Sequence, residues 1–400
     1  MLPAVARVAR PVPRRYHPRP MLPSDLRVAL FSGNYNYTRD GPTQALNLLV
    51  GHLLDQGAAV RVYAPTVAKP AFEPTGDLVS VPSVRLPGER GEYRAALGLP
   101  RAIRRDLAAF SPNIVHLSAP DILGHRALSW ARRRGIPRVA SLHTRFETYG
   151  QYYGMGWLEP LLVRMQTRFY NRVDRVMPPA ESMAAVIRGW GVSTPTTIWS
   201  RGLDHDRFRP TRRDMVWRRS LGLADGEVAV GFLGRLVKEK GLDIFADVMA
   251  ELRRRGVPAR TLVVGEGPAR DWFASQVPDA VFAGFQSGDD LGRAVASMDV
   301  FFNPSVTETF GNVTLEAMAA GVPVVAARAT GAVDLVEPGV TGFLVPPRDV
   351  AAYADAIGRV AGDPALRASM GRAGHVKAAG FRWDTANQAV LDVYLELAGR

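Results

Sequence analysis

Short apolar runs and amphipathic stretches alternate along this chain of 400 residues. The apolar runs are flanked by Gly, Pro, Asn or Ser, which is typical of buried strands that end in loops. The stretches between them, such as residues 43–57, carry apolar residues at helical spacing. Because alternating strands and helices require parallel sheets with right-handed crossovers, the pattern predicts the α/β fold class. The predicted strands lie at residues 27–32, 59–65, 113–118, 137–143, 173–179, 227–235, 259–267, 279–285, 298–304 and 322–327.

The predicted strands fall into two series, one in each half of the chain. A chain of this length exceeds what one hydrophobic core usually fills, so two domains are expected. We predict two Rossmann-like domains that face each other across a cleft, where a ligand would bind. The predicted boundaries are 1–24 for a basic disordered tail, 25–200 for the first domain, 201–380 for the second, and 381–400 for a C-terminal helix that crosses back to the first domain.

The amino-acid composition limits the possible function classes. The chain contains no cysteine, which excludes disulfides, thiolate metal sites and a cysteine nucleophile, and which fits a reducing compartment. No apolar run approaches the roughly 18 residues that a membrane-spanning helix needs. We therefore expect a cytoplasmic protein.

The net charge of +12 raises the question of anionic partners. Five arginines lie among the first 20 residues, which form neither a signal peptide nor a folded element; translation from Met21 would omit them. The other cations lie on helices without a nucleic-acid-binding motif, so nucleic-acid binding is not expected. Basic clusters at 101–107 and 131–138 are either solvated or meet anionic lipid head groups. The second alternative would place the protein at the inner face of the cytoplasmic membrane.

The segment ETFGNVTLE, residues 308–316, places two glutamates eight positions apart. An apolar run precedes it and good helix formers follow, so it is predicted to be a strand-to-helix turn. Such turns lie at the carboxyl ends of parallel strands, where the free N–H groups of a helix start attract anions. Glu308 is placed in the loop and Glu316 about one turn into the helix. Two carboxylates beside such a helix start suit a ligand with phosphate and hydroxyl groups.

Three further candidate features follow strands of the second series. Arg235 and Lys240 would neutralise a leaving pyrophosphate, and two solvated cations are the alternative. Gly265 lies in a glycine turn where backbone can approach a ligand. Phe285 either belongs to a base-binding site or packs in the core.

The first series offers two candidates. Gly41 lies in a loop between a strand and a helix, where a ligand can press against the backbone. His143 ends a predicted strand, a position at the sheet edge where open α/β sheets bind ligands. An aromatic-rich stretch at residues 146–157 follows it and would stack on sugar rings or lipid, or pack the wall of the cleft.

Together these segments resemble the retaining glycosyltransferases of the GT-B fold, in family four of the sequence-based classification, often called glycosyl transferases group one. The resemblance covers residues 25–395. It rests on the glutamate spacing together with GRLVKEKG, VVGEGP, TGFLVPP and the linker pattern RGLDHDRFRP. Within the family, the segment HTRFETYGQYYGMGWLEP is most similar to that of α-mannosyltransferases and related enzymes that glycosylate lipid acceptors.

The resemblance implies a retaining transfer of a hexosyl group, with mannose from GDP-mannose as the first choice, to a hydroxyl of a lipid or glycan acceptor. The first domain would bind the acceptor and the second the nucleotide sugar, without a cofactor or metal. The implied roles are diphosphate binding for Arg235 and Lys240, ribose binding for Glu316, sugar binding for Glu308, backbone contacts from Phe310, Gly311 and Asn312, a phosphate or acceptor loop at Gly41, and a sugar contact for His143.

Several alternatives stay open. A UDP-sugar-dependent hexosyl or hexuronosyl transferase that makes a glycolipid fits the same motifs. A sugar-nucleotide epimerase shares the fold, and a non-catalytic nucleotide-sugar-binding protein is a third class. Asp204 and Asp206 match an aspartate pair that holds metal in another glycosyltransferase fold, but they lie in the linker, so no metal site is expected there. Pro42 stands where the family often has a second glycine, which leaves the role of this loop open.

Overall fold

The computed structural model describes residues 20–85, 93–152 and 154–400. The first domain contains a six-stranded parallel sheet and a small antiparallel hairpin. Every residue of the strand at 114–117 is buried, as expected for a parallel sheet that is covered on both faces. The strands of the first domain are β1 (Arg27–Phe31), β2 (Ala59–Ala64), β3 (Asp77–Ser80), β4 (Ser83–Arg85), β5 (Arg94–Ala96), β6 (Ile114–Leu117), β7 (Arg138–Ser141) and β8 (Arg175–Met177), of which β4 and β5 form the hairpin.

The second domain repeats this architecture. Its strands are β9 (Val228–Leu233), β10 (Ala259–Val264), β11 (Val281–Gly284), β12 (Val300–Asn303), β13 (Val324–Ala327) and β14 (Gly342–Val345). The sheet orders are β3-β2-β1-β6-β7-β8 and β11-β10-β9-β12-β13-β14. In both sheets the order reverses beside the first strand, between β1 and β6 and between β9 and β12. The crevice outside the carboxyl ends of the strands at such a reversal is where open α/β sheets bind ligands.

Helices connect the strands and cover the sheets. Several begin with an aspartate that caps the helix; for example, Asp40 accepts a hydrogen bond from the backbone N–H of Thr43 at 2.9 Å. The helices are α1 (Gly41–Asp55), α2 (Arg101–Phe110), α3 (Ile122–Arg132), α4 (Phe146–Tyr152), α5 (Glu159–Tyr170), α6 (Glu181–Gly189), α7 (Met215–Ser220), α8 (Leu242–Arg254), α9 (Arg270–Gln276), α10 (Gly288–Ala296), α11 (Asn312–Ala319), α12 (Ala332–Leu335), α13 (Val350–Gly362), α14 (Pro364–Ala378) and α15 (Trp383–Ala398).

The last helix, α15, returns to the first domain. Its buried residues Val390 and Tyr394 belong to the same hydrophobic cluster as Leu49 and Leu53 of α1. The chain therefore passes between the domains twice, once after β8 and once before α15. The two passages touch at Gly202, where an added Cβ would lie 2.1 Å from the backbone nitrogen of Trp383. A side chain at position 202 would push these passages apart.

The ten strands predicted from the apolar pattern are all present, each within its predicted limits. The edge strands β3 and β14 and the hairpin were not predicted. The predicted disordered tail needs a correction at its end: residues 1–19 lie outside the described residues, but Pro23–Asp25 form a 3-10 turn and Met21 packs against the first-domain cluster. That apolar contact orders the chain before residue 25. Within the described ranges, no helix combines the length and apolarity needed to cross a membrane.

Candidate active site

A cavity of about 810 Å³ lies between the two domains, at the carboxyl ends of both sheets. We call it the interdomain cavity. Its wall is formed by the loops that follow β1, β7, β9 and β12, so both strand-order reversals open into it. The sequence candidates that line it are Gly41, His143, Arg235, Lys240, Glu308, Phe310, Gly311 and Asn312. Residues 271 positions apart in the chain therefore meet in one cavity, since Gly41 and Asn312 both line it.

The domains make direct contacts around this cavity. The Thr309 hydroxyl donates to the backbone carbonyl of His143 at 3.1 Å. The backbone N–H of Ser182 donates to Asp334 Oδ1 at 3.0 Å. Each bond joins one domain to the other, so the two domains are in direct contact beside the cavity.

Helix α11 points its N-terminus into the interdomain cavity. Gly311, the residue before the helix, has a φ of 93°, and no side chain caps the helix start. The first N–H groups of α11 therefore lack intrahelical partners and favour an anion. Gly41 of the first domain lies against this turn, since an added Cβ there would be 2.6 Å from Asn312 Nδ2. A glycine at position 41 is what allows the two loops to approach.

Lys240 and Glu308 form an ion pair in the wall of the interdomain cavity. The Lys240 ammonium lies 2.5 Å from Glu308 Oε1, and 14% of the Glu308 side chain is exposed. The Glu308 backbone carbonyl also accepts a hydrogen bond from the Thr330 hydroxyl at 2.7 Å, which fixes the loop. A cation for phosphate and an acceptor for hydroxyl groups thus lie next to each other.

Glycines bring the loops after β9 and β10 together beside Arg235. Gly265 has a φ of 138°, and an added Cβ would lie 1.9 Å from the carbonyl oxygen of Gly234. A larger residue at 265 would displace the loop that carries Arg235. Gly265 itself does not line the interdomain cavity, and neither does Phe285, whose side chain is 67% exposed just beyond β11. These two residues lie at the same sheet edge but outside the cavity wall.

His143 lies two residues beyond β7, and both of its ring nitrogens are engaged. Arg201 Nη2 lies 3.0 Å from His143 Nδ1. Arg201 must be the donor of this hydrogen bond, since a guanidinium has no acceptor atom. The Nε2 atom lies 2.8 Å from the Ser141 hydroxyl and must carry the proton. Burial, with Arg201 and His116, lowers the pKa of His143 well below its usual value. The ring is therefore neutral, and a sugar contact from its nitrogens would have to replace one of these bonds.

The polar chain continues from His143 to the C-terminal helix. The Ser141 hydroxyl also lies 2.8 Å from His116 Nε2, and His116 Nδ1 is hydrogen bonded to the Tyr394 hydroxyl of α15. Burial lowers the pKa of His116 to about 3, so this ring is neutral as well. The chain of hydrogen bonds fixes the orientation of His143 relative to the linker and α15.

Arg201 is a cavity residue that sequence reasoning did not single out. It lies in the linker, is 4% exposed and lines the interdomain cavity beside His143. Its motif, RGLDHDRFRP, was noted for family resemblance and for the aspartates that follow. Asp204 forms an ion pair with Arg207 at 3.1 Å, and neither Asp204 nor Asp206 lines the cavity.

Glu316 lies in the first half of α11, outside the set of residues that line the cavity. Burial raises the pKa of its carboxyl to about 8, an effect that Arg207 opposes. Its carboxylate has no hydrogen-bond partner within the part of the chain that the structure describes. A buried acid of this kind is protonated at neutral pH and gains partners when hydroxyl groups approach.

We expect Glu316 to make folding stability depend on pH. Its folded-state pKa, about 8, exceeds the usual 4.5, so the native state binds this proton more tightly. The stability that the protonated Glu316 carboxyl contributes is fully present below about pH 4.5 and is lost as the pH rises towards 8. The free energy of unfolding, measured with urea, should be lower at pH 8 than at pH 5. This decrease should be larger in wild type than in Glu316→Gln by about 1 kcal/mol or more. Equal losses in the two proteins would contradict this.

A second cavity, of about 310 Å³, lies within the first domain. It adjoins the interdomain cavity, because Asp40, Pro42, Tyr93, His143 and Thr144 line both. We call it the first-domain cavity. Its wall is mostly apolar, with polar groups that include the carboxylates that cap α1 and α3. A molecule bound there can present a group directly to the interdomain cavity.

Comparison with known proteins identifies the family. Residues 40–207 match Glycosyltransferase Family 4 and residues 227–363 match Glycosyl transferases group 1. A GDP-mannose-dependent alpha-mannosyltransferase of Mycolicibacterium smegmatis is 33% identical over 327 residues, which cover 80% of this chain and 84% of that protein.

Solved structures share the fold at lower identity. Sucrose-phosphate synthase from Thermosynechococcus elongatus has a TM-score of 0.78 at 22% identity, and the match covers 92% of this chain and 98% of the synthase chain. HepE from Anabaena, solved with UDP-glucose, has a TM-score of 0.70 at 20% identity with the same coverage. The predicted GT-B fold of two Rossmann-like domains is confirmed. This chain therefore belongs to the family 4 glycosyltransferases, with a second domain of the group 1 type.

Proposed function

We propose that this enzyme transfers a hexosyl group from a nucleotide sugar to an acceptor hydroxyl with retention of configuration. The observation that carries the proposal is the Lys240–Glu308 pair beside the uncapped start of α11. Phosphate oxygens are favoured by the cation and the helix start, while the carboxylate accepts hydrogen bonds from sugar hydroxyls. One ligand that requires both within a few ångströms is a sugar linked to a diphosphate.

The proposed chemistry is a front-face displacement. The bond between the anomeric carbon and the β-phosphate oxygen breaks, and the acceptor oxygen forms a new bond to that carbon on the same face. The acceptor proton passes to the departing phosphate oxygen. Arg235 and Lys240 stabilise the charge that develops on the leaving diphosphate, and such an interaction accelerates the reaction where it strengthens in the transition state.

GDP-mannose is the proposed donor. Support comes from the M. smegmatis relative, whose name specifies GDP-mannose, at 33% identity over most of both chains. The alternative is a UDP-sugar, because HepE of the same fold was solved with UDP-glucose. The acceptor is proposed to enter through the first-domain cavity, whose apolar wall and capping carboxylates suit a hydroxylated group with an apolar portion.

An assay with radiolabelled donors tests this proposal. GDP-mannose, UDP-glucose and UDP-glucuronate are each offered with total lipid and glycan extracts, and the anomeric configuration of the product is determined by NMR. We expect transfer from GDP-mannose with retention. Interconversion of the donor without any acceptor would identify an epimerase instead. Nucleotide binding without turnover on any acceptor would identify a binding protein.

A mixed apolar and cationic surface on the first domain suggests where a lipid acceptor would be met. On α5, Leu161, Arg164, Met165 and Arg168 occupy positions i, i+3, i+4 and i+7 of one exposed face. Trp157, just before this helix, is 77% exposed. We call these five residues the α5 surface. Exposed apolar side chains flanked by arginines suit the interface of an anionic bilayer.

Further cations lie nearby. The pKa of Arg172 is lowered by burial and by the charges of Arg132 and Arg168, so these three guanidinium groups are close together. Clustered cations attract anionic lipid head groups, each contributing roughly 1 kcal/mol near a charged membrane. We propose that the protein binds anionic membranes reversibly through the α5 surface.

Cosedimentation with vesicles is expected to reveal this binding. Wild type should sediment with anionic vesicles at low salt and less at high salt, because the Debye length falls to about 3 Å at 1 M. The double variant Trp157→Ser, Leu161→Ser should lose about tenfold or more in affinity. The matched control is Val376→Ser, which changes a residue that is 73% exposed on α14. Equal, negligible binding to anionic and neutral vesicles would contradict the proposal.

A further inference from the structure

Among the residues that the structure describes, two arginines are almost completely buried, and they differ in how their charge is compensated. Arg218 is 1% exposed and forms an ion pair with Asp299 at 2.8 Å. It also donates to the backbone carbonyl of Ser297 at 2.7 Å. This is the expected arrangement, since a buried charge is costly unless it is paired and hydrogen bonded.

Arg201 is 4% exposed and has only neutral partners. Its Nη1 donates to the carbonyl of Trp199 at 2.9 Å and to that of Ser200 at 3.2 Å, and its Nη2 donates to His143 Nδ1. No carboxylate pairs with it among residues 20–85, 93–152 and 154–400. Burial alone lowers its pKa to about 10, so the group still carries its charge at neutral pH.

The location of Arg201 explains how an uncompensated cation can be useful. It lines the interdomain cavity together with Arg235 and Lys240. The Lys240 charge is already paired with Glu308. The uncapped start of α11 contributes to the same wall. All of these groups favour an anion inside the cavity, and for Arg201 that anion would supply the missing counter-charge.

We propose that Arg201 is a third diphosphate-binding cation, contributed by the linker between the domains, and that the bound donor supplies its counter-charge. This inference rests on the proposed function. Arg201 precedes Gly202, where the two passages between the domains touch. Donor binding therefore engages both domains and the linker at once. Arginine suits this position because its planar fork can keep its carbonyl bonds while presenting further N–H groups to a phosphate.

Calorimetry of ligands that differ only in phosphate tests the proposal without any transfer assay. The probes are guanosine, GDP, uridine, UDP and inorganic pyrophosphate, and the variant is Arg201→Met. We expect the affinity for pyrophosphate and for the preferred nucleoside diphosphate to fall about tenfold or more, and the affinity for the matching nucleoside to stay unchanged. Arg201→Lys keeps the charge but loses the planar fork of the guanidinium. Its affinity for the diphosphates should therefore lie between that of wild type and that of Arg201→Met.

The matched control is Arg209→Met, which removes an exposed arginine of the same linker and should bind all probes as wild type does. Arg201→Gln replaces Arg201→Met where the latter does not fold. Equal losses for nucleoside and diphosphate would show a merely structural role and overturn the proposal. So would unchanged pyrophosphate binding, or a wild type that binds neither the diphosphates nor pyrophosphate. Failure to transfer any sugar, with the expected binding pattern intact, would overturn only the proposed function.

Discussion

Glu308→Gln is expected to reduce the rate of sugar transfer about 100-fold or more while nucleoside diphosphate binding stays the same or becomes tighter. The carboxylate is proposed to hold sugar hydroxyls, so its contacts belong to the sugar and not to the nucleotide. In the free protein it is also paired with Lys240 at 2.5 Å. Removing its charge takes this one competing anion away from Lys240 beside the phosphate, which favours diphosphate binding. Steady-state kinetics and calorimetry with GDP and UDP measure the two effects separately.

The matched control for this variant is Glu337→Gln. Glu337 forms an ion pair of similar length with Lys377, 2.7 Å, on the surface of the second domain. Surface pairs of this kind contribute little to stability, so the control should retain wild-type turnover. Near-normal turnover in Glu308→Gln would show that the sugar assignment is wrong. Parallel losses of transfer and diphosphate affinity would show that Glu308 acts on the nucleotide side.

Lys240→Met is expected to weaken nucleoside diphosphate binding and to lower the transfer rate, each by about tenfold to 100-fold. The ammonium would contact phosphate oxygens both in the bound donor and during transfer, and it would interact more strongly with them as the leaving diphosphate gains charge. Its loss also leaves Glu308, which is 14% exposed, without its cation in the wall of the cavity. A diphosphate would then meet an unpaired carboxylate, which adds repulsion to the lost attraction.

Lys377→Met, from the same surface pair as the control above, should leave diphosphate affinity and transfer rate unchanged.

The proposed reaction does not require a metal ion. If Arg235, Lys240 and Arg201 neutralise the leaving group, excess chelator should leave the transfer rate of wild type unchanged. Strict dependence on an added divalent ion would contradict that expectation, and normal diphosphate binding in Lys240→Met would show that another group holds the phosphates.

Much of this architecture follows from local patterns. The strand β9 is apolar at all six positions, Val228–Leu233, and all six are buried. Glu308 and Glu316 were placed in a loop and in the following helix from the residue types around them, and they lie there. The edge strands β8 and β11 were predicted, but β3 and β14 were not; β3, Asp77–Ser80, is only partly covered, and none of its residues is buried. A strand with little core contact leaves a weak hydrophobic pattern.

The arrangement of the site depends on contacts that no local pattern contains. Lys240 and Glu308 are 68 residues apart, and their pairing requires the loops after β9 and β12 to meet at a strand-order reversal. Arg201 and His143 are 58 residues apart and belong to the linker and the first domain. The pattern of the linker does not reveal that its arginine turns into the cavity, because that depends on how the domains close.

The sequence by itself determined the two β-α series, the glutamate pair and the cationic loop after β9, because strand periodicity and turn chemistry act over a few residues. The tertiary structure alone decided that burial and Arg201 keep His143 neutral. It also decided that, within the described part of the chain, Glu316 has no hydrogen-bond partner and Arg201 has no counter-charge. The physical reason is that burial and pairing of charges depend on how the two domains pack against each other. They arise when residues from distant parts of the chain exclude water from one another.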